Sequence, residues 1–363
     1  MNKKRIGFIG AGGIARSHAF ALNSLKYYYN DPPGVELIAV TSFREESRLA
    51  FASEFGFRKA VTLEEFISDH EIDSVFILGP NSVHYQHLEA VVAMPGVRRI
   101  YLEKPVCSNY DEENKIKNLL TNIPQDKSVQ AGFQFLMGAA VREALIWWKG
   151  KDFGRPIHFS FTLKHSDYLQ ASYRAKRRTR LTPAPDGGAM ADLGSHAISL
   201  MVAFLGDDLQ VLNALQSGSF EDVPAGSDLY SEISVFDPKS RAVGNVSGSR
   251  VSAGTGDMLA FEIYAEKGAL RYNTMYPDRF EYFFVKNGDW AVRYTGSNFS
   301  PVTGFPSGHV PAGWLRSLIH ALYVFLTGKD KLAFVPDLDH GLEVQRIVRE
   351  TSEHMGLFRK KYG

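Results

Sequence analysis

The spacing of apolar positions changes character near residue 131. Before it, short apolar runs at 6–9, 35–40, 74–78 and 99–102 alternate with amphipathic stretches at 45–55 and 85–93, the first of these stretches ending at Gly56. Compact apolar runs predict buried strands, and helical periodicity between them predicts crossover helices. Strand and helix in alternation require right-handed crossovers and a parallel sheet covered on both faces. Beyond 131 the period falls to two. Residues 158–163 alternate, and 281–285 lead through Lys286-Asn287-Gly288-Asp289 into 290–294, where Asn-Gly is a hairpin signal. This texture predicts a mostly antiparallel sheet. Two amphipathic helices follow, over 314–326 before Gly328 and over 338–354 before Gly356.

The expected architecture is therefore α/β in two domains. Residues 1–130 form a doubly wound parallel sheet; residues 131–363 form an α/β domain with an open, mostly antiparallel sheet, its C-terminal helix packing back on the first domain. The 363 residues, 44% of them hydrophobic, suffice for two cores. A formal charge of +1 gives no general attraction to nucleic acid or an acidic membrane, which leaves a small molecule as the expected partner. The single cysteine, Cys107, excludes an intramolecular disulfide framework and a cysteine-rich metal site, suits a reducing compartment, and reads as a small packed residue; cytoplasm is the expected location. The basic start before residues 6–9 has the outline of a secretory signal, but cleavage after it would remove the first strand. No stretch reaches the roughly 18 apolar residues of a membrane span. The eleven histidines form no His-x-x-x-His or Glu-x-x-His pair on one helix, so no metal is expected.

Residues 6–9 run into Gly10-Ala11-Gly12-Gly13-Ile14-Ala15, a Gly-x-Gly-x-x-Ala turn that opens a helix. In that context it is a dinucleotide fingerprint. Gly10 allows the tight turn, Gly12 lets the backbone approach a pyrophosphate, and Ala15 lets helix and strand pack closely. The helix N-terminus, with Gly13 and Ile14, then faces the phosphates. Ligands of a doubly wound sheet lie beyond the carboxyl ends of its strands, where Ser42-Phe43-Arg44, Pro80-Asn81-Ser82-Val83-His84 and Glu103-Lys104-Pro105 all fall. Ser42 stands where NAD-binding units carry a ribose-binding acid, and Arg44 can meet a 2′-phosphate, so NADP is preferred to NAD. The alternative makes Ser42 a helix cap and Arg44 a helix-start residue paired with Glu45 or Glu46. A further cluster, Gly187-Gly188-Ala189-Met190-Ala191-Asp192-Leu193-Gly194-Ser195-His196, enters a helix and places Asp192 and His196 on one face of its first turn.

In this order, the glycine turn, Pro-Asn-x-x-His, Glu-Lys-Pro and Asp-x-Gly-x-His resemble the Gfo/Idh/MocA family of glucose-fructose oxidoreductases, inositol dehydrogenases and rhizopine-catabolism proteins. The resemblance covers nearly the whole chain. It implies a Rossmann domain followed by a substrate-binding domain whose open sheet mediates oligomerisation, here a homodimer or homotetramer. It further implies hydride transfer between NAD or NADP and a carbon of a sugar, sugar derivative or polyol.

The residues suit that chemistry. Hydride leaves a carbinol carbon as the hydroxyl loses its proton, so a base and a nearby positive charge both help. His196 is the expected base, Lys104 the polarising cation and Asp192 an orienter of substrate or histidine; Lys104 and His196 can exchange roles. Glu103 either anchors the Lys104 loop or touches the cofactor amide, and His84 either holds the Asn81 turn or touches the cofactor. The family's Gly-Phe-Asn-x-Arg reads here Gly132-Phe133-Gln134-Phe135-Leu136, so the positive charge is lost while Gln134 can still reach nicotinamide or a hydroxyl. The common Trp-Arg pair appears as Tyr173-Arg174, making Arg174 a cofactor candidate at the head of a basic run through Arg180 that is either solvated or an anion site. His309, in Pro306-Ser307-Gly308-His309, is a candidate substrate contact. Two alternatives stand beside the dehydrogenase: an NAD-dependent glycosidase of the same family and a non-catalytic NAD(P)-binding sensor.

Overall fold

The computed structural model describes residues 3–184, 187–218, 220–295, 313–330, 332 and 334–362. They divide into two units: residues up to Gly138 with those of 297–342, and 139–296 with 343–363. In the first, β1 (Lys4–Ile9), β2 (Val35–Thr41), β3 (Lys59–Val61), β4 (Ser74–Ile77), β5 (Arg99–Leu102) and β6 (Ser128–Ala131) form one parallel sheet in the order β3-β2-β1-β4-β5-β6. This is the doubly wound dinucleotide-binding order. The crossovers carry α1 (Gly13–Tyr28), α2 (Glu45–Phe55), α3 (Leu63–Ile67), α4 (His84–Ala93) and α5 (Tyr110–Leu120). Gly56 ends α2 in the left-handed region at φ 82°, which is why the sequence marks that end so clearly.

The second unit begins with α6 (Ala139–Gly150). Its eight strands are β7 (Pro156–Lys164), β8 (Gln210–Ser217), β9 (Tyr230–Phe236), β10 (Val243–Ser249), β11 (Met258–Ala265), β12 (Gly268–Asn273), β13 (Arg279–Phe284) and β14 (Trp290–Tyr294). They run in the order β14-β13-β12-β11-β7-β10-β9-β8, antiparallel except for the β7–β10 pair. α7 (Ala171–Lys176) and α8 (Ser195–Leu205) lie between β7 and β8. One sheet face is covered by α6 and α8, with Trp147 against Phe280 and Phe204 against Phe161 and Phe261. The opposite face presents Leu215, Val243, Trp290, Val292 and Tyr294, all exposed.

α9 (Trp314–Thr327) joins the first unit, burying Leu318, Leu322 and Phe325 in one core with Ile6, Phe8, Leu22 and Tyr101. A 3-10 turn at Gln134–Met137 packs on α9, which carries the first unit past residue 130 to Gly138. α10 (Leu338–Tyr362) starts in the first unit and continues from Glu343 in the second. It runs beyond 354, where Gly356 was expected to stop it. One internal glycine costs a helix only about 1 kcal/mol, too little by itself to end one. Among the described residues no helix is long and apolar enough to cross a membrane.

Candidate active site

The carboxyl-end rim of the parallel sheet is built by backbone bonds that continue past the strands. Gly10 N–H donates to the Thr41 carbonyl at 2.8 Å, Leu78 to Ile9 at 2.8 Å, Glu103 to Ile77 at 3.0 Å and Gly132 to Leu102 at 2.8 Å. The glycine turn, the Pro80-Asn81 segment, the Glu103-Lys104 loop and the Gln134 turn therefore share one edge. Gly10 has φ 121°, and a Cβ there would stand 2.7 Å from the Leu78 carbonyl carbon, so both conformation and space demand glycine. Ala15, in the first turn of α1, is fully buried, while Cβ atoms at Gly12 or Gly13 would meet nothing within 4 Å. α1 has no side-chain cap and no acidic residue in its first turn. An open cradle with uncapped N–H groups fits a dinucleotide pyrophosphate.

After β2, Phe43 is completely exposed and Arg44 is exposed at the N-cap of α2. Arg44 thus stands in solvent at the start of α2, as the alternative reading has it, but neither the Ser42 cap nor the Arg44 ion pair of that reading is observed. Ser42 Oγ donates to the Arg44 carbonyl at 3.1 Å rather than accepting from an N–H of α2, and Glu45 lies 3.9 Å from Arg48, with no ion pair at Arg44 among the described residues. Arg48 Nη1 donates to the Ser42 carbonyl at 3.4 Å. The sequence reading missed Arg48, although it sits one helical turn after Arg44.

Lys104 is half-buried on the loop after β5, and its peptide bond to Pro105 is cis. Buried histidines hold this loop on either side. His84 is 1% exposed, with Nδ1 2.7 Å from the Pro105 carbonyl and Nε2 3.0 Å from the Gly79 carbonyl. Burial pushes the His84 pKa down, against the two carbonyl contacts, which favour the protonated ring. Glu103 is buried; its Oε2 accepts the Lys104 N–H at 3.1 Å and its Oε1 lies 2.7 Å from His18 Nε2. His18 gave no signal in sequence, because a lone histidine on the apolar face of a helix reads as core. Pro80 is exposed, Asn81 half-buried and Gln134 buried.

In the second unit, Asp192 lies in a π-helical turn, Met190–Gly194, ahead of α8, rather than in the first turn of an α-helix as expected. His196 follows in the first turn of α8 and is 5% exposed. The Asp192 carboxylate is held by two arginines: Arg250 Nη2 at 2.9 Å, itself buried, and Arg180 Nη1 at 3.4 Å. Arg250 also donates to the Arg180 carbonyl at 2.9 Å and stacks on Tyr168. Asp228 accepts the Met190 N–H at 3.1 Å, and burial pushes its pKa up. Arg250 and Asp228 went unnoticed in sequence, because each follows or precedes a strand without any motif.

Arg174, a cofactor candidate in the sequence, is 6% exposed and holds its own loop together. It meets both Asp222 oxygens at 3.0 and 2.9 Å, donates to the Tyr168 and Leu169 carbonyls, and stacks on Phe220 at 4.2 Å. Most of its donors are thereby spent within the second unit. Lys176, Arg177 and Arg178 are exposed. His309 lies outside the described residues. Cys107 is buried, and among the described residues no group of three or more His, Cys, Asp or Glu side chains is placed to hold a metal ion.

Comparison with known proteins identifies both domains. Residues 4–131 match the family described as "Oxidoreductase family, NAD-binding Rossmann fold", and residues 141–271 match the "GFO/IDH/MocA C-terminal domain". The chain is 24% identical over 285 residues to glucose-6-phosphate 3-dehydrogenase of Bacillus subtilis, covering 76% of this chain and 75% of that protein. It is 24% identical over 315 residues to levoglucosan dehydrogenase of Pseudarthrobacter phenanthrenivorans, covering 79% and 78%. The solved structure of levoglucosan dehydrogenase with NADH and levoglucosan shares the fold, with a TM-score of 0.84 at 19% identity over 98% of both chains. An inositol dehydrogenase homolog from Azotobacter vinelandii, complexed with NAD+, gives 0.78 at 16% identity, over 98% of this chain and 96% of that one. With both domains matched in order, the chain belongs to the Gfo/Idh/MocA family of NAD-binding oxidoreductases, whose named relatives here are sugar dehydrogenases and reductases.

Proposed function

We propose that this oxidoreductase transfers hydride between a nicotinamide dinucleotide, NADP in preference to NAD, and a carbinol carbon of a sugar, sugar derivative or polyol. The observation that carries the reading is Lys104: it follows β5 on the same sheet edge that carries the phosphate cradle after β1. Gly10, Gly12, Gly13, Ile14 and Ala15 would hold the pyrophosphate; Pro80, Asn81 and Gln134 line the rest of that edge. Bound there, the dinucleotide supplies the hydride acceptor or donor. Lys104 polarises the substrate oxygen, and His196 takes up or returns its proton. Asp192, held between Arg250 and Arg180, orients a substrate hydroxyl or the imidazole. The known relatives make glucose 6-phosphate, levoglucosan and inositol the first substrates to assay.

The preference for NADP rests on the absence of an acid after β2 and on the exposed Arg44, to which Arg48 adds a second guanidinium beside Ser42. Titration with NADPH and NADH, followed by nicotinamide fluorescence in wild type and Arg44→Ala, tests it. Tighter NADPH binding that is lost in the variant is expected; equal or tighter NADH binding overturns the preference. Product formed from a glycoside without net cofactor turnover would mark a glycosidase instead. The exposed apolar face of the second sheet supports association into a homodimer or homotetramer, and sedimentation of monomer alone at micromolar concentration would refute that.

A further inference from the structure

We propose that His18 is a positioning residue for Lys104: from inside α1 it fixes the Glu103 carboxylate, and through it the lysine backbone, relative to the phosphate cradle that opens the same helix. The inference rests on the reading of Lys104 as catalytic. His18 is fully buried and its Nε2 lies 2.7 Å from Glu103 Oε1, the two side chains being 0% and 7% exposed. The other carboxylate oxygen accepts the Lys104 N–H at 3.1 Å. The imidazole is wedged edge-on against Phe76 and Tyr101, and among the described residues its Nδ1 has no hydrogen-bond partner, so Glu103 is the ring's hydrogen-bonded contact.

A carboxylate and an imidazole buried together in an aromatic core cost more than an apolar pair of the same volume, so packing alone does not account for them. Glu103 is confined on its far side by Gly132, where a Cβ would stand 2.9 Å from Oε2. His18 lies five residues into α1, about 7.5 Å along the axis from Gly13 at ~1.5 Å per residue. One short, rigid link therefore joins the end that faces the pyrophosphate to the loop that bears the lysine. His84 holds the following Pro105 from the opposite direction.

The test compares His18→Leu, which removes the bond and keeps the bulk, with His18→Gln, which presents an amide N–H where Nε2 stands. Steady-state kinetics use whichever of glucose 6-phosphate, levoglucosan and myo-inositol the wild type turns over. Hydrogen–deuterium exchange of residues 102–106 is followed with NADH or NADPH bound. His18→Leu is expected to lower kcat by about 10- to 100-fold, as for other residues that orient a reacting group, with KM and cofactor affinity nearly unchanged. Exchange at 102–106 quickens, and His18→Gln restores both readouts. Glu103→Gln provides the second variant should His18→Leu not fold, and its kcat falls by a similar factor; where all three fold, His18→Leu with Glu103→Gln together is no worse than either alone. Unchanged kcat and exchange in His18→Leu, or equal losses in a folded His18→Gln, overturn the proposal. A wild type that turns over none of the sugars sinks the proposed function by itself, and the exchange comparison then decides on His18.

Discussion

The two units fix their chemical groups by different means. On the parallel-sheet edge, Lys104 stands on a loop whose neighbours are held by buried histidines, His18 on Glu103 and His84 on the Pro105 carbonyl. In the antiparallel unit the polar groups are fixed by arginines: Arg250 and Arg180 on Asp192, and Arg174 on Asp222. His18 reaches its carboxylate from within an aromatic core, against Phe76 and Tyr101. Arginine keeps its charge and must bring a carboxylate with it, leaving one partner near solvent. Asp192 accordingly keeps 25% of its side-chain surface exposed beside the nearly buried Arg250, whereas His84 keeps 1%. The second arrangement is sensitive to loss of a charge partner.

The largest expected effect tests whether both units contribute to one reaction. Lys104→Ala lowers kcat by about 10³-fold while nicotinamide fluorescence still reports cofactor binding, and His196→Asn does the same to within about a factor of ten. A variant of either residue with near wild-type turnover would remove that unit from the chemistry.

Next in size is the charge partnership. Asp192→Asn strands Arg250 and lowers stability in urea unfolding by about 3 kcal/mol; Arg250→Met in the same chain recovers most of that without recovering activity. If Asp192→Asn is as stable as wild type, Arg180 and solvent are sufficient for Arg250 and the contrast between the units fails. Smaller is Arg48→Ala, which weakens NADPH binding by about tenfold or less and leaves NADH unchanged, as expected for one charge-assisted contact.

The smallest effect concerns protons in the first unit. Burial lowers His87 to about 4, with His84 nearby adding to the shift, and lowers His84 itself. The unfolded chain takes up these protons near the ordinary value of 6.5, while the folded chain does not until pH falls to about 4 at His87. Unfolding therefore binds protons in that window, and stability declines as pH drops from 6.5 toward 4. The thermal midpoint falls across this range, and His87→Gln makes the fall shallower. An unchanged slope in the variant would show that His87 contributes nothing to it.

What could be read in the chain depended on how local the determining physics was. α2 ends at Gly56 as marked, and β13 and β14 pair as an antiparallel hairpin around Asn287-Gly288, because turn and cap preferences act within a few residues. The glycine turn was legible for the same reason: strand, turn and helix are contiguous. Lys104, Asp192 and His196 stood out only because their motifs occur in a family order, and the π-helical turn beneath Asp192 had no local signature at all. The end of α10 was misplaced because a single glycine is too weak a signal to end a helix.

The sequence by itself determined the alternation of strand and helix through β1, β2, β4 and β5, the glycine turn, and which residues follow each of those strands, since these follow from periodicity and contiguity, whereas β3, α3 and α5 went unread. Only the tertiary structure decided that Arg174 is spent on Asp222, that Arg250 holds Asp192, and that His18 reaches Glu103 from 85 residues away. Each is a contact between segments far apart in the chain, and no local rule carries information about which buried charge will find which partner.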